Sequence, residues 1–528
     1  MKSKFCRRQL PYLLLGAALT GLTVVFPTVG FLEWFTMIPM LIAVLRLCES
    51  DEFTLRRAYG YGFLTVYVYY FIIYHWIIRL YPLDFVGMDN LSSAVVVAAG
   101  WLGLPILQAV IGGLVFVLFR LMQKMGAFSR FPIIRPFVFA ALWVVFEWSS
   151  TIGWTGVPWG RLCLGQIHLL PILQSASLFG SYFVSFLLLA VNGLLAYAVL
   201  YRPRALACGI TAAALFLSNF VYGLTVRLIP ESASGTTVRA AVIQGNINSH
   251  EKWSDNVSYI KEVYGDLTRQ AAAEGAELIV WPESTFPYDF SYESSKRDFV
   301  CELARECNVT LIVGALYYGD DGKDYNALFL IEPDGTFREE FYAKRHLVPF
   351  GEYVPLRSLI MTLIPPLAEL SALGSDLSPG EDSALFETEW GALGSLICFD
   401  SIYEQLTRDS VRDGAGLMMI SSNDSWFYDS AAVYQHQAQG QLRAIECGRY
   451  FLRSANTGIS TVISPEGEVL SLIDPLERGY AVNDVSMRDG TTLYTVIGNL
   501  FVYLCAAFAI GVVVFGITDK ARQKKKNQ

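Results

Sequence analysis

The chain has 528 residues, 53% of them hydrophobic and 17% charged, with a mean hydropathy of +0.39. Soluble domains carry about 25% charged residues, so the composition argues against a wholly soluble protein and for membrane spans. A formal charge of -8, with the basic residues in short loops and tails, excludes a nucleic-acid-binding stripe, and nine scattered cysteines with five dispersed histidines argue against a metal site or a disulfide framework, leaving only Cys301 with Cys307 open as a pair.

Apolar stretches long enough to cross about 30 Å of hydrocarbon are expected at 10–27, 30–48, 58–79, 93–121, 133–152, 174–200, 205–226 and 491–517. The first has basic residues before it, as a signal peptide does. Its apolar run is long, lacks a small-residue cleavage site and leads into another span, which favours a retained helix. Lys2, Lys4, Arg7 and Arg8 precede it, Arg56 and Arg57 lie in the second connection, and Lys124, Arg130 and Arg135 in the fourth. Arg202 and Arg204 occupy the sixth connection, and Lys524, Lys525 and Lys526 the tail. The bias of short loops then predicts both termini in the cytoplasm and the long insert outside. The expected domains are 1–229 in the membrane, 230–488 as an extracytoplasmic catalytic domain, and 489–528 as a last span with a basic tail.

Residues 237–488 read as α/β, with β-branched runs alternating with amphipathic stretches. Strands are predicted at 238–243, 278–281, 310–316, 326–331, 392–397, 416–421 and 459–464. Helices are predicted at 254–273, 295–307, 403–412 and 431–447, capped by Ser254 or Asp255 at the first and Asp429 or Ser430 at the last. A short polar tether, 230–235, leads in from the seventh span.

Three segments put a reactive side chain at the end of an apolar strand. Pro282 stops the strand Leu278–Trp281 and projects Glu283 from its edge. Lys344 opens a stretch running through His346, Val348, Pro349, Gly351 and Glu352 to Pro355. Cys398 ends the strand Gly394–Ile397 and is followed by Phe399 and Asp400. A thiol with a pKa near 8.5 is mostly protonated at neutral pH, so a neighbouring carboxylate can serve as its base. An ammonium can favour the thiolate and then stabilise an oxyanion, with the Phe399 backbone N–H as a second donor. Taken singly, each has a plainer reading: a lone cysteine after a strand is more often an inert small hydrophobe, and glutamate and lysine are mostly solvated.

The three segments together resemble the Glu-Lys-Cys pattern of the carbon–nitrogen hydrolase (nitrilase) superfamily. The long lysine segment and the flanking spans resemble its membrane-bound branch, the apolipoprotein N-acyltransferases. Further matching segments are Gln244–Asn246 with Trp253, Tyr325–Asn326, Asn423–Phe427, Leu452–Gly458, Pro158–Trp159 and Gly180–Phe186. The resemblance implies an αββα sandwich of nitrilase type on a bundle of about eight transmembrane helices. It implies Glu283 as general base, Lys344 as oxyanion stabiliser and Cys398 as nucleophile. Glu352 would support the lysine and the base, and Trp253 would influence substrate binding. Phe399, Asp400, Asn326 and Trp426 complete the expected surroundings. Phe399 stands where the family commonly has Tyr, and Asp400 where it commonly has Glu.

The implied reaction acylates the N-terminal S-diacylglyceryl-cysteine of a lipoprotein from a phospholipid donor, through a thioacyl intermediate on Cys398. No metal or cofactor is expected, the partners are phospholipid, lipoprotein and bilayer, and the state is monomeric. The apolar run 356–374, too short and Pro-broken to span, is expected to dip into lipid. The same triad would also suit a membrane-tethered amidase or nitrilase acting on a small extracellular amide. A non-catalytic membrane assembly protein with a degenerate site is the third reading.

Overall fold

The computed structural model describes all residues except 1–2, 84–87, 230–234, 248–256, 291–293, 320–321, 364–375 and 527–528. Trp253, the cap at Ser254 or Asp255, most of the 230–235 tether and residues 364–374 of the apolar run lie outside the described residues. The chain divides into two compact units, one of 1–78, 96–230 and 497–528, the other of 79–95 and 231–496.

The first unit is helical. Among the described residues, eight helices of the chain are long and apolar enough to cross a membrane: Lys4–Val25, Pro27–Glu49, Leu55–Leu80, Asn90–Lys124, Pro132–Ser149, Ser181–Leu200, Arg202–Leu228 and Leu500–Arg522. Polar groups inside such helices must satisfy one another, because lipid offers them nothing. Glu33 accepts a hydrogen bond from Gln166 Nε2 at 2.7 Å, and the Trp34 indole donates to Gln166 Oε1 at 3.0 Å. Glu147 accepts from the Leu162 backbone N–H at 2.9 Å. Two spans start later than the hydropathy suggests. Gly180, at φ 78°, interrupts the expected span at 174–200, so the helix begins at Ser181. The last span begins at Leu500, after a separate short helix Leu493–Ile497.

The second unit is built on two sheets. Its strands are β1 (Thr237–Gln244), β2 (Leu278–Val280), β3 (Phe286–Asp289), β4 (Thr310–Tyr318), β5 (Asp324–Ile331), β6 (Phe337–Ala343), β7 (Phe386–Thr388), β8 (Gly391–Ile397), β9 (Leu417–Ser422), β10 (Phe451–Ala455), β11 (Ser460–Ile463), β12 (Val469–Ile473) and β13 (Gly479–Ser486). The first sheet runs β13-β1-β2-β4-β5-β6 with β3 beside β4, and the second runs β12-β11-β10-β9-β8-β7. β1, β2 and β4 are parallel neighbours, as are β8, β9 and β10.

Alternation along the strands makes two cores. Val238, Ala240, Val242, Leu278, Val280 and Ile312 of the first sheet share one cluster with Leu393, Ile397, Leu417, Met419 and Leu452 of the second. The opposite face of the first sheet, with Ile243, Ile279, Trp281, Leu311 and Val313, packs against helices α1 (Val257–Ala273) and α2 (Ser294–Cys307). Helices α3 (Glu404–Arg412) and α4 (Ala431–Cys447) back the second sheet, giving the expected αββα order. The Ser430 hydroxyl caps α4 by accepting from the Ala432 N–H. Cys301 and Cys307 are free thiols six residues apart on α2, about 9 Å along the helix axis and beyond disulfide reach.

Candidate active site

Parallel strands point their carboxyl ends the same way, and open α/β sheets place ligands there. Glu283 follows β2, Lys344 follows β6, Cys398 follows β8 and Asn423 follows β9. The two sheets are tied in register at this end: the Ser421 hydroxyl of β9 donates to the Trp281 carbonyl at 2.9 Å, and the Asn423 N–H to Glu283 Oε2 at 2.8 Å. Gly314 on β4 lets the Glu283 turn lie close. A Cβ there would come within 2.4 Å of the Pro282 carbonyl oxygen and 2.9 Å of Glu283 Cα.

Lys344 is 1% exposed and lies between two carboxylates, with Nζ 3.0 Å from Glu283 Oε1 and 2.9 Å from Glu352 Oε1. Asn326 Nδ2 donates to the same two oxygens, at 2.7 and 3.0 Å. Glu352 Oε2 accepts from the Val348 N–H at 2.8 Å, which folds the lysine segment back on itself. Burial works against the Lys344 charge, but Glu283 and Glu352 outweigh it and hold the ammonium well above its ordinary range.

Cys398 stands at φ +49°, a left-handed conformation in which a non-glycine residue is strained by about 1–2 kcal/mol. Burial pushes its thiol well above the ordinary range and the Glu283 carboxylate adds to this. The Lys344 ammonium opposes without reversing it. The Lys344 charge thus acts in the expected direction, toward the thiolate, but it is shared between two carboxylates and does not outweigh burial.

Asp400 is fully buried and joins the cysteine turn to the lysine segment. It accepts from the Ile397 N–H at 3.1 Å, the Tyr342 hydroxyl at 2.8 Å and the His346 N–H at 2.7 Å. Its carboxyl is raised to about 6 by burial, which Lys344 and these hydrogen bonds partly offset. The shorter Asp side chain thus still spans both segments. Phe399 is half-buried, edge-to-face with Tyr403 at 5.4 Å between ring centroids. Trp426 is half-buried in the turn Ser425–Phe427, just past Asn423. Trp253 is outside the described residues.

Asn423, Asp424, His436 and Arg453 carry no role in the sequence reading, yet Asp424 and His436 stand beside the thiol, Arg453 pairs with both, and the Asn423 N–H holds Glu283. Asp424 and Arg453 lie inside segments quoted for the resemblance. His436 sits mid-helix with no local signal. Ligand atoms of Cys398, Asp424 and His436 lie within 4.8 Å of one another, a grouping that spacing along the chain did not reveal. Arg453 Nη2 is 2.7 Å from Asp424 Oδ2 and 3.2 Å from His436 Nδ1, so the Asp424 charge is already paired with a fixed cation. His436 and Arg453 hold the Asp424 carboxyl well below its usual range despite burial.

Residues 239–493 match the family described as carbon-nitrogen hydrolase, and residues 16–194 match the apolipoprotein N-acyltransferase N-terminal domain. An apolipoprotein N-acyltransferase of Geobacter metallireducens is 31% identical over 535 residues, covering 98% of this chain and 96% of that protein. One from Gloeobacter violaceus is 31% identical over 500 residues, covering 94% and 92%. Among solved structures, a nitrilase-superfamily amidase from Nesterenkonia sp. AN1 matches at 18% identity, covering 52% of this chain and 98% of that one with a TM-score of 0.39. Saccharomyces cerevisiae Nit3 matches at 19%, covering 49% and 93% with a TM-score of 0.38. With membrane and hydrolase parts both matched and close relatives aligned almost end to end, this chain belongs to the apolipoprotein N-acyltransferase family.

Proposed function

We propose that this chain moves an acyl group from a membrane phospholipid to the α-amine of the S-diacylglyceryl-cysteine that begins a lipoprotein. The observation that carries this reading is the end-to-end likeness to proteins named apolipoprotein N-acyltransferase, at 31% identity across 98% of the chain. In our assignment Glu283 takes the Cys398 proton as the sulfur attacks the ester carbonyl. A thiol pushed up by burial needs such a base at the moment of attack. Two of the three Lys344 N–H donors point at Glu283 and Glu352, and the third is assigned to the oxyanion. Collapse of the tetrahedral intermediate breaks the ester bond, and protonated Glu283 returns its proton to the departing lysophospholipid alkoxide. The lipoprotein amine then attacks the thioester and gives its proton to Glu283. The amide forms as the sulfur leaves and is reprotonated.

Water must be kept from the thioester while the enzyme waits for an amine. We assign a monomer with both termini in the cytoplasm and with 230–488 as the catalytic domain on the outer side, where it meets two substrates that are lipids of the outer leaflet. The test is to incubate purified protein in detergent with phospholipid carrying a labelled acyl chain. Label should reside on Cys398, vanish in Cys398→Ser, and pass to a diacylated lipopeptide. Absence of label on the native protein, or turnover of small amides without lipid, would reject the proposal.

A further inference from the structure

The turn that carries Cys398 is strained, and something must keep it from relaxing. Its carbonyl oxygen accepts two hydrogen bonds. One comes from the Ser401 hydroxyl at 2.7 Å, inside the same turn. The other comes from His436 Nε2 at 3.1 Å, on the separate helix α4. Nε2 also lies 3.0 Å from Ser401 Oγ, whose hydrogen is directed at that carbonyl, so we assign a proton to Nε2, which donates it to the carbonyl.

The ring is fixed from its other side. Nδ1 lies 2.9 Å from Asp424 Oδ1, which also accepts from the Ser422 hydroxyl at 2.9 Å. Arg453 holds Asp424 Oδ2 at 2.7 Å and is itself anchored on the Ile459 carbonyl at 3.2 Å. Both the His436 and Asp424 side chains are essentially inaccessible, at 1% and 0%. Arg453, Asp424 and His436 thus form a chain from β10, through the loop after β9 and across α4, ending on the backbone of Cys398.

We propose that His436 is a positioning residue: its Nε2–H, oriented by Asp424 and Arg453, holds the Cys398 carbonyl and so aims the sulfur. The inference rests on reading Cys398 as the nucleophile. A purely structural role would need only the Nδ1 side, the buried pairing with Asp424. The two roles separate by substitution. A glutamine at this position places its amide nitrogen near the site of Nε2, and an asparagine places its own near Nδ1.

The experiment compares His436→Gln and His436→Asn with the native full-length protein in detergent. It measures alkylation of Cys398 by iodoacetamide from peptide mass, kcat and KM for acyl transfer, and thermal unfolding. His436→Gln should stay within about tenfold of native in both alkylation and kcat. His436→Asn should lose about a hundredfold in kcat with little change in KM, the size expected for a reacting group displaced by about 1 Å. Its alkylation should change as well, at an unfolding temperature like that of His436→Gln. Equal behaviour of the two variants, or losses that track unfolded protein alone, would overturn the proposal. Native protein that shows the alkylation pattern but transfers no acyl group would leave the positioning role standing and remove the acyl-transfer reading.

Discussion

Lys344 sits where one positive charge faces two negative ones, and that arrangement predicts how its loss is felt. Lys344→Met leaves Glu283 and Glu352 buried without their cation. Removing one partner from a buried ion pair costs about 3–5 kcal/mol, and removing an oxyanion donor costs about 10²–10³ in rate. Adding Glu352→Gln to Lys344→Met should restore part of the stability and none of the activity. Thermal unfolding and acyl transfer on the single and double variants check this. Full recovery of activity in the double variant would mean that Lys344 serves only to neutralise charge.

His346 and Asp400 adjoin, and they respond to acid in opposite directions. Burial, helped by Arg345, lowers His346 from 6.5 to about 4. As pH falls from 6.5 toward 4, the unfolded chain binds a proton that the folded chain does not, so this residue removes stability. Asp400 is raised from 3.8 to about 6, so the folded chain binds its proton first and gains stability as pH falls through that window. Each effect is on the order of 3 kcal/mol, and in the native chain they nearly offset. His346→Phe, which keeps a ring against Tyr403, should therefore gain in unfolding temperature relative to native between about pH 7 and pH 4.5. Asp400→Asn should lose over the same range. Curves parallel to that of the native protein in both variants would refute the pairing. At this scale Glu283 and Cys398 were legible as candidates because each follows an apolar strand, and Lys344 because it opens an extended motif. Asp424, His436 and Arg453 were not, since a buried charge network is made by tertiary folding and leaves no period in the chain.

Elements were legible where one face alternates or where the run is wholly apolar. The helices α2, α3 and α4 fall within a residue of their expected bounds, as do β2 and β8. Three of the strands not expected have physical reasons. β6, Phe337–Ala343, carries Arg338, Glu339 and Glu340 on exposed or half-buried positions and reads as a loop. β10 hides Arg453 in a fully buried strand. β13 is mostly half-buried, pairs antiparallel with β1 from the far end of the domain, and has no local signal for that partner. The closeness of β4 to the Glu283 turn gives a prediction at this level. Gly314→Ala puts a methyl group 2.4 Å from the Pro282 carbonyl oxygen and must push the turn away. A shift near 1 Å should cost about a hundredfold in kcat, more than the modest loss of stability from a small overpacking explains. Unchanged kcat at native stability would show that the turn has room to spare.

For the whole molecule, hydropathy located eight spans, and what it misjudged were breaks that need backbone geometry: the helix start at Ser181 and the separate Leu493–Ile497. Lys and Arg bias carries information of a different kind, because it concerns sides of a bilayer rather than contacts within the protein. Our proposed orientation follows from Arg56 and Arg57, Lys124 and Arg130, and Arg202 and Arg204 lying in alternate short connections. It is testable with the protein's own thiol inventory. Cys6, Cys48, Cys163, Cys208, Cys447 and Cys505 are buried, while Cys301, Cys307 and Cys398 are half-buried and would need replacement to lower the background. In that background a cysteine at the exposed position Asp382 should react with a membrane-impermeant maleimide in cells whose outer layers have been opened. A cysteine at the exposed position Arg202 should react only after the membrane is permeabilised. The reverse pattern would put the Cys398 domain in the cytosol. Outer-leaflet substrates could not then reach it, and the acyl-transfer proposal would fail on topology alone, whatever the chemistry of the site.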